Sequence, residues 1–393
     1  MTARCRFAGC LALAGVTSCG VTAGAGSVPE QRASYAIRGA RILDVGSGLY
    51  SAPSVILVTG DKLVRVLQAE SYRTDLADST VNLAGKVVLP GLIDAHVHLV
   101  LGGPVRANAL ADLRAGFTTV VDLGALAHRL LRIRDSINAG IIPGPRVLAA
   151  GMWVGVKGGV CEFTGIGVVG GPEQFRARVR ENIAAGADVI KLCVSGWANE
   201  AFANPAQYEM PDDALVASVQ EAHQHRRLVV AHDLSRGGVR AALRANVDGL
   251  AHAAYLDSAT ALEMRAKNVF MIPTLASLAT GDTSDATRAL VASVALAHRL
   301  GVRLVFGTDG GVLRHGNNAD EFTALVRAGI PPLAAVRAAT INAATAFGLA
   351  DSLGAVRAGM LADLIAVDGD PLQDVATLRA PHFVMSRGKI VPR

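Results

Sequence analysis

Residues Pro90–Leu99 read PGLIDAHVHL, an apolar run that contains one aspartate and two histidines. His96 and His98 are two residues apart, so on an extended strand their side chains point to the same face. A single histidine there would be read as a hydrogen-bonded core residue, whereas a pair at a strand end favours two imidazoles that bind one metal ion. The stretch therefore predicts a buried strand that leads into a metal site.

On the C-terminal side of this stretch, short apolar runs alternate with segments of helical periodicity such as Pro172–Ala185, Pro211–Arg226 and Ala286–Leu300. Apolar strands that alternate with helices are typical of a parallel sheet closed on itself, so we predict an α/β fold, a TIM-like (β/α)8 barrel. The predicted barrel strands are Val87–Ile93, Thr118–Leu123, Arg146–Gly151, Val189–Val194, Leu228–Ala231, Gly249–Ala253, Val269–Pro273 and Arg303–Gly307.

Both ends of the chain contain further segments with the composition of β-strands, bounded by turn residues. They are Ala36–Leu43 and Val55–Leu67 near the start, and Leu364–Val367 and Phe383–Val391 near the end, the last with a hairpin turn at Arg387-Gly388. These segments predict a small β-sandwich domain formed by residues 35–86 plus 355–393, with the barrel at residues 87–354.

The composition limits the classes of protein to which the chain can belong. Apolar residues make up 51% and charged residues 18% of the 393 residues, which excludes disorder and provides for a large core. The net charge is +5, but the sequence has no basic run or basic-aromatic stripe, so we expect no nucleic-acid partner. We expect the chain to form a homo-oligomer.

The N-terminus has the pattern of a bacterial export signal over residues 1–19: a basic start followed by the uncharged apolar stretch Phe7–Val16. This stretch is shorter than the roughly 20 residues that span a bilayer. Val16–Cys19 resembles a lipobox, in which Cys19 is lipidated and anchors the protein to the membrane. The alternative is an ordinary signal peptide cut a few residues later. We therefore expect an exported protein, either periplasmic or a membrane-anchored lipoprotein.

The distribution of cysteines fits export. Cys5, Cys10 and Cys19 lie in or at the leader, so the processed chain keeps only Cys161 and Cys193 beyond it. Two internal cysteines do not make a disulfide framework. Neither has the CxxC or Cys-His spacing of a structural zinc site.

Polar side chains recur at the carboxyl ends of the predicted strands, where barrel enzymes place their catalytic groups. Lys191 lies in the apolar run VIKLCV, and a buried lysine needs a partner: either a carboxylate at the barrel mouth, or carbon dioxide to form a metal-bridging carbamate. Taken singly, each of the others has an ordinary structural explanation, but together they indicate a metal site. The set is His96, His98, Lys191, His232, His252 and Asp309.

These motifs resemble those of the amidohydrolase superfamily. PGLIDAHVHL is similar to the signature that opens its barrel, and the order His-x-His, Lys, His, His, Asp resembles its binuclear-metal subtype. The similarity runs from about residue 35 to the end and includes GMLADL at Gly359–Leu364. Asp309 in GTD, HGNN at His315–Asn318 and RAATINAA at Arg337–Ala344 resemble the imidazolonepropionase-like and Xaa-Pro dipeptidase-like group.

The resemblance implies a set of ligands and a reaction. His96, His98 and Asp309 would bind the more buried metal, His232 and His252 the outer one, and carbamylated Lys191 would bridge both. Zinc is the default for such ligands, and manganese, iron or cobalt fit nearly as well. A metal-bridging hydroxide would cleave the C–N bond of a small amide such as a dipeptide or an N-acyl amino acid. Asp309 would be the catalytic proton carrier.

The sequence departs from these relatives at two places that face substrate in them. Relatives have a histidine just after a Gly-Gly pair in the loop that follows the third strand, where this chain has Val160 and Cys161. They also have a second histidine shortly after the fifth-strand one, where this chain has Asp233–Ser235. The substrate of a relative therefore cannot be transferred. As substrate contacts we predict Cys161, Trp197, Tyr255 and His315, with ordinary packing as an equal alternative for the aromatic residues.

Other functions are compatible with the same residues. A cyclic-amide or xenobiotic-amide hydrolase, or a phosphotriesterase or lactonase, would use the same two metals. A deaminase is disfavoured, because those enzymes usually lack the bridging lysine and have a glutamate at the position of Ser235. A non-catalytic exported binding protein is also disfavoured, since such proteins tend to lose metal ligands and this chain retains the full set.

Overall fold

The chain folds as a barrel of parallel strands with a curled β-sheet built from both of its ends, which confirms the predicted fold class. The computed structural model describes residues 32–163, 165–196, 204–278 and 285–392. The predicted export signal and Cys19 lie outside this range. Within the described residues, no helix is long and apolar enough to cross a bilayer.

The barrel strands follow one another in parallel, as β/α repeats require. Two ladders, one of three and one of four strands, are joined where Val154 bridges Leu192. The strands are β7 (Leu92–Val97), β8 (Phe117–Asp122), β9 (Arg146–Ala149), β10 (Val189–Cys193), β11 (Leu228–Asp233), β12 (Gly249–His252) and β13 (Phe270–Ile272).

The predicted eighth barrel strand, Arg303–Gly307, is extended but forms only an isolated bridge, from Leu304 to Met271. Single backbone hydrogen bonds complete the closure. Val305 N donates to Met271 O at 2.8 Å, and Ala95 N donates to Phe306 O at 2.8 Å. The segment thus joins β13 to β7 and closes the barrel without a regular ladder.

Helices follow most of the strands and begin and end at residues suited to those places. Ser235 Oγ accepts a hydrogen bond from Gly238 N at 2.9 Å, and Asp257 caps the next helix in the same way. Helix α1 ends before Gly116, which has a φ of +92°. The helices are α1 (Val105–Arg114), α2 (Arg129–Asn138), α3 (Pro172–Ala184), α4 (Asp212–Gln224), α5 (Arg236–Arg244), α6 (Ser258–Ala266), α7 (Leu275–Leu278), α8 (Asp285–Arg299), α9 (Asp320–Arg327), α10 (Pro332–Arg337) and α11 (Ala343–Ala346), with a π-helical turn at Ala338–Asn342.

The terminal segments form one hydrogen-bonded sheet of nine strands rather than two separate layers. The sheet curls around a core that includes Ile37, Ile56, Val88 and Met385, so strands from both ends of the chain face the same apolar cluster. The strands are β1 (Ala33–Asp44), β2 (Leu49–Tyr50), β3 (Ser54–Thr59), β4 (Lys62–Gln68), β5 (Ala77–Asn82), β6 (Val87–Pro90), β14 (Leu364–Val367), β15 (Phe383–Ser386) and β16 (Lys389–Ile390).

The apolar run Val87–Ile93 was predicted as one barrel strand, and this is wrong. It divides at Gly91: β6 pairs with β1 and β14 in the terminal sheet, and β7 begins at Leu92 in the barrel. A Cβ atom at Gly91 would lie 2.1 Å from Thr118 Oγ1, so only glycine permits this close approach. Both halves are apolar because each is buried, although in different sheets.

A disulfide joins Cys161 to Cys193 across a sequence separation of 32 residues. We expected no disulfide framework, and this single bond is a local crosslink instead. It ties the loop that follows the third barrel strand to the end of β10. In the same loop Val160 N donates to Glu209 Oε2 at 2.9 Å, and Arg178 Nη1 donates to Ile166 O at 2.6 Å. The loop therefore has a defined position on the barrel.

We predict that replacing both Cys161 and Cys193 by alanine lowers the free energy of unfolding by about 2–4 kcal/mol. The crosslink limits the conformations of the unfolded chain, and the variant regains them. Urea unfolding without reductant measures the difference, and reductant added to the wild type should reproduce it. Equal stability of the oxidised wild type and the variant would contradict the crosslink.

Candidate metal centre

The structure brings the six predicted ligands together at one end of the barrel, although they come from six different places in the sequence. Lys191 lies in the middle of β10, and each of the others lies near the carboxyl end of a barrel strand or directly after one. They line a single cavity. The ligand candidates in its wall are His96, His98, Lys191, His232, His252 and Asp309.

His96, His98 and Asp309 form the tightest group, with one donor atom from each lying within 4.8 Å of the others. Asp309 Oδ1 is 3.4 Å from His96 Nε2 and 3.2 Å from His98 Nε2. Burial alone would raise the pKa of Asp309, but the facing imidazoles outweigh it and hold that pKa well below its usual range. Two imidazoles and a carboxylate converge here on a space suited to one ion.

The tautomer of His98 indicates what this space accepts. His98 Nδ1 lies 2.9 Å from Gly124 O, and a carbonyl oxygen can only accept, so Nδ1 carries the hydrogen. In the neutral ring, Nε2 then presents a lone pair toward Asp309 Oδ1. Two such atoms repel unless a proton or a metal cation lies between them. The donor set therefore fits a divalent metal ion, and Gly124 orients the ligand.

A second pair of histidines lies beside this group. His232 Nδ1 and His252 Nε2 are 3.0 Å apart, and His252 Nδ1 is 2.6 Å from Thr274 Oγ1. Burial lowers the pKa of His232 to about 3 and that of His252 well below its usual value. Both rings are therefore neutral at physiological pH, which is the form that binds metals.

Lys191 lies in β10 between the two groups and is 2% exposed. Its Nζ is 3.4 Å from His96 Nε2. No ion pair of Nζ within 4.0 Å is present among the described residues, and the carboxylate whose charge acts on Lys191 is Asp309 of the same cavity. Burial lowers the pKa of Lys191 to about 7, so a substantial fraction of the amine is neutral near neutral pH.

Three residues of the centre have left-handed backbone conformations. His252 has a φ of +71°, Thr274 of +53° and Asp309 of +57°. Non-glycine residues adopt this region at a cost of about 1–2 kcal/mol. Each lies where the chain turns sharply from a strand into a loop, and the turn directs the side chain into the mouth of the barrel. Such backbone is common at functional sites.

A buried carboxylate holds the first and last parts of the barrel together behind the ligands. Asp94 accepts hydrogen bonds from His96 N at 3.1 Å, Thr308 Oγ1 at 2.6 Å and Asn318 Nδ2 at 2.8 Å. Burial raises the pKa of Asp94 to about 7 although these donors oppose the shift. Asp94 lies in the PGLIDAHVHL stretch but was not predicted as part of the site. Its two-residue separation from His96, which places both side chains on one face of the strand, was the available signal.

The predicted substrate contacts are only partly at the cavity. Cys161 lines it, with its sulfur bonded to Cys193. Trp197 lies outside the described residues. Tyr255 is absent from the cavity wall and packs against the barrel core. His315 lies behind His98: its Nδ1 is 2.9 Å from Asp112 Oδ2 and its Nε2 3.3 Å from His98 O. His315 thus does not line the cavity, and its side chain supports the strand that carries the ligand His98.

Several side chains of the cavity wall were not predicted. These are Leu101, Phe163 and Val312. Val160, at a position expected to face substrate, lines it too, as does Trp153, whose Nε1 donates to Leu123 O at 2.9 Å. The departure from the family pattern after the Gly-Gly pair was the signal in the sequence for Val160. Phe163, Leu101 and Val312 carry no signal in the sequence beyond being near predicted strand ends.

A larger cavity, of about 460 Å³ against about 80 Å³ at the histidines, lies elsewhere on the protein. Its wall includes Ile42, Tyr50 and Arg357. None of the six ligand candidates lines it. We therefore assign the chemistry to the smaller cavity, because function depends on which groups meet there rather than on volume.

Comparison with known proteins agrees with the geometry. The family model described as the amidohydrolase family matches residues 87–391. A barrel with candidate metal ligands at the ends of its strands is the architecture of metal-dependent hydrolases. The chain belongs to the amidohydrolase family. It is a hydrolytic enzyme that acts on carbon–nitrogen bonds.

Three relatives illustrate the range of similar proteins. Ochratoxinase from Aspergillus niger is 27% identical over 84% of this chain and 80% of its own length. The structure of a Xaa-Pro dipeptidase with methionine bound in its active site superposes with a TM-score of 0.83 at 26% identity, covering 91% of this chain and 99% of that one. A prolidase in complex with N-methylphosphonate-L-proline superposes with a TM-score of 0.79 at 26% identity, with the same coverage.

We predict that Thr308→Val weakens metal binding by about 10–100-fold. Valine has nearly the same shape but removes the hydroxyl that makes the shortest hydrogen bond to Asp94, so the junction that carries His96 and Asp309 is held less firmly. Competition with a chelator measures the affinity, and Thr308→Ser should restore it.

Thr118→Val is the matched control for this change. Thr118 is also fully buried, but its Oγ1 has no hydrogen-bond partner among the described residues. Its replacement should leave metal affinity unchanged. Equal affinity in Thr308→Val and wild type would show that the Asp94 network does not support the ligands.

Proposed function

We propose that this enzyme hydrolyses the C–N bond of a small amide, such as a dipeptide or an N-acyl amino acid, at a centre of two metal ions. The observation that carries the proposal is the convergence of all six ligand candidates on one cavity, with a buried lysine between the two groups. Similarity to a Xaa-Pro dipeptidase and to a prolidase supports dipeptide-like substrates.

His96, His98 and Asp309 would hold one ion and His232 and His252 the other, with zinc the default metal. Lys191 would join them after reacting with carbon dioxide. Its neutral amine attacks the carbon of CO2, a new N–C bond forms, and one proton leaves to solvent. The resulting carbamate would present a negative charge and two oxygen donors to the ions. The buried position of the lysine and its partly neutral amine support this use.

Divalent ions bound here would supply Lewis acidity, which lowers the pKa of water and polarises a substrate carbonyl. The protein supplies the proton transfer. The Asp309 carboxylate would accept the proton of the attacking water and return it to the amide nitrogen as the C–N bond breaks. The nitrogen needs this proton because an amide anion is a poor leaving group. Ser235 caps a helix, so no glutamate-like shuttle of a deaminase is present at that position.

A cyclic or xenobiotic amide is the second candidate substrate, favoured by the apolar side chains of the cavity wall.

We further propose that the protein is exported and works in the periplasm, with Cys19 as a lipid anchor or as part of a removed signal. The basic and apolar leader supports export, and a disulfide is typical of proteins outside the reducing cytosol.

We predict that the processed protein binds about two metal ions per chain and that Lys191→Ala loses most of this content. The variant removes the group that would bridge the ions and leaves the flanking ligands without a shared charge. Elemental analysis of the purified proteins measures the content, with Lys389→Ala on the exposed β16 as the matched control. Two metals in Lys191→Ala would rule out the bridge.

We predict that Asp309→Asn lowers kcat about 100-fold or more while metal content is retained. The asparagine oxygen can still bind a metal, but the side chain can no longer carry the proton. Steady-state hydrolysis of an amide substrate and elemental analysis measure the two effects. Asp351→Asn, at an exposed position, should behave as wild type. Full activity in Asp309→Asn would refute the assigned proton transfer.

A further inference from the structure

The wall of the cavity outside the ligand set is uncharged among the described residues. Five of its side chains are aliphatic or aromatic, and the sixth, Cys161, is held in the disulfide. Within the part of the chain that the structure describes, no arginine and no carboxylate beyond the ligands lines it. The apolar members are Leu101, Trp153, Val160, Phe163 and Val312. We call these five residues the apolar wall.

Part of the apolar wall lies at the mouth of the cavity and is open to solvent. Phe163 is 47% exposed and Val312 is 60% exposed. Large apolar side chains beside a catalytic centre gain about 25 cal/mol for each Å² that a ligand covers. An apolar group of the substrate would therefore bind more tightly here than a charged one, which would lose its hydration without a partner.

Ring contacts hold part of the apolar wall against the ligands. The ring of Phe163 packs on Trp153 at 5.1 Å between centroids, and Trp153 in turn packs edge-on against the ligand His98 at 5.4 Å. The disulfide from Cys161 ends at Cys193, two residues after Lys191 on β10, so both residues face the same side of the strand. Contacts that hold a surface in place before binding reduce the ordering cost of a ligand that fits it.

We infer that the substrate carries an aromatic or bulky apolar group next to the scissile amide, and that Phe163 and Val312 determine this specificity. The inference rests on the proposed function, since it names the substrate class of that reaction. The apolar group packs against the apolar wall while the carbonyl reaches the metal centre.

Two pairs of amides test the inference with the metal-loaded enzyme. N-acetyl-L-phenylalanine is compared with N-acetyl-L-aspartate, and N-benzoylglycine with N-acetylglycine, so that the ring is offered on either side of the bond. In at least one pair we expect kcat/KM to be about tenfold or more higher for the aromatic member, through a lower KM. Similar values within both pairs would overturn the inference and leave the proposed function intact.

Variants assign the effect to the apolar wall. Phe163→Ala should cut the ratio within the preferred pair severalfold by raising KM for the aromatic member, with metal content unchanged. Val312→Asp changes a largely exposed position, so it provides a second test if Phe163→Ala does not fold. Ile141→Ala, which is 73% exposed and not in the cavity wall, is the control and should keep the ratio. An unchanged ratio in both wall variants would refute the assignment.

Failure of the proposed function gives a different result. If none of the four amides is hydrolysed, that proposal falls, and binding of the products still tests the apolar wall. Calorimetry would compare L-phenylalanine with L-aspartate, and benzoate with acetate, on the metal-loaded protein. Tighter binding of an aromatic product that is lost in Phe163→Ala would support the inference. Equal affinity within both pairs would overturn it.

Discussion

The buried carboxylate of Asp94 is the constraint on which the rest of the centre depends. It joins β7 to the chain that follows the eighth strand, because its two oxygens accept from the backbone and hydroxyl of Thr308, from His96 N and from Asn318. A buried carboxylate must find several donors, and here those donors belong to the segments that carry the metal ligands. His96 is two residues from Asp94, and Asp309 directly follows Thr308. The contact that closes the barrel here therefore also positions these two ligands.

The chemistry of the centre was readable from sequence because it depends on residue type and position along a strand. His96, Lys191 and His232 stand at or near the ends of apolar runs, and parallel strands bring such ends together. The hairpin at Arg387-Gly388 was equally readable, since both residues adopt positive φ angles in a two-residue turn. Local rules and the strand period were sufficient for these features.

What was not readable depends on which segments meet in space. The run Val87–Ile93 gives no sign that its halves enter different sheets, because burial makes both apolar. Cys161 and Cys193 have no spacing that predicts their bond, and His315 pairs with Asp112 of another element. Phe163 reaches the cavity only because its loop is held over the barrel. These contacts are long-range, so a local pattern carries no information about them.

The terminal sheet also sets the order in which this protein can be completed during synthesis. Strands β1 to β6 leave the ribosome first, but Leu89 of β6 pairs with Ile365 of β14, which is made near the end. Until then the edge of β6 has no partner in that register, and an unpaired strand edge invites association with other chains. A premature stop shortly before Leu364 would therefore remove an internal strand of the sheet, not a dispensable tail. The terminal sheet can therefore form completely only when both ends of the polypeptide have been synthesised.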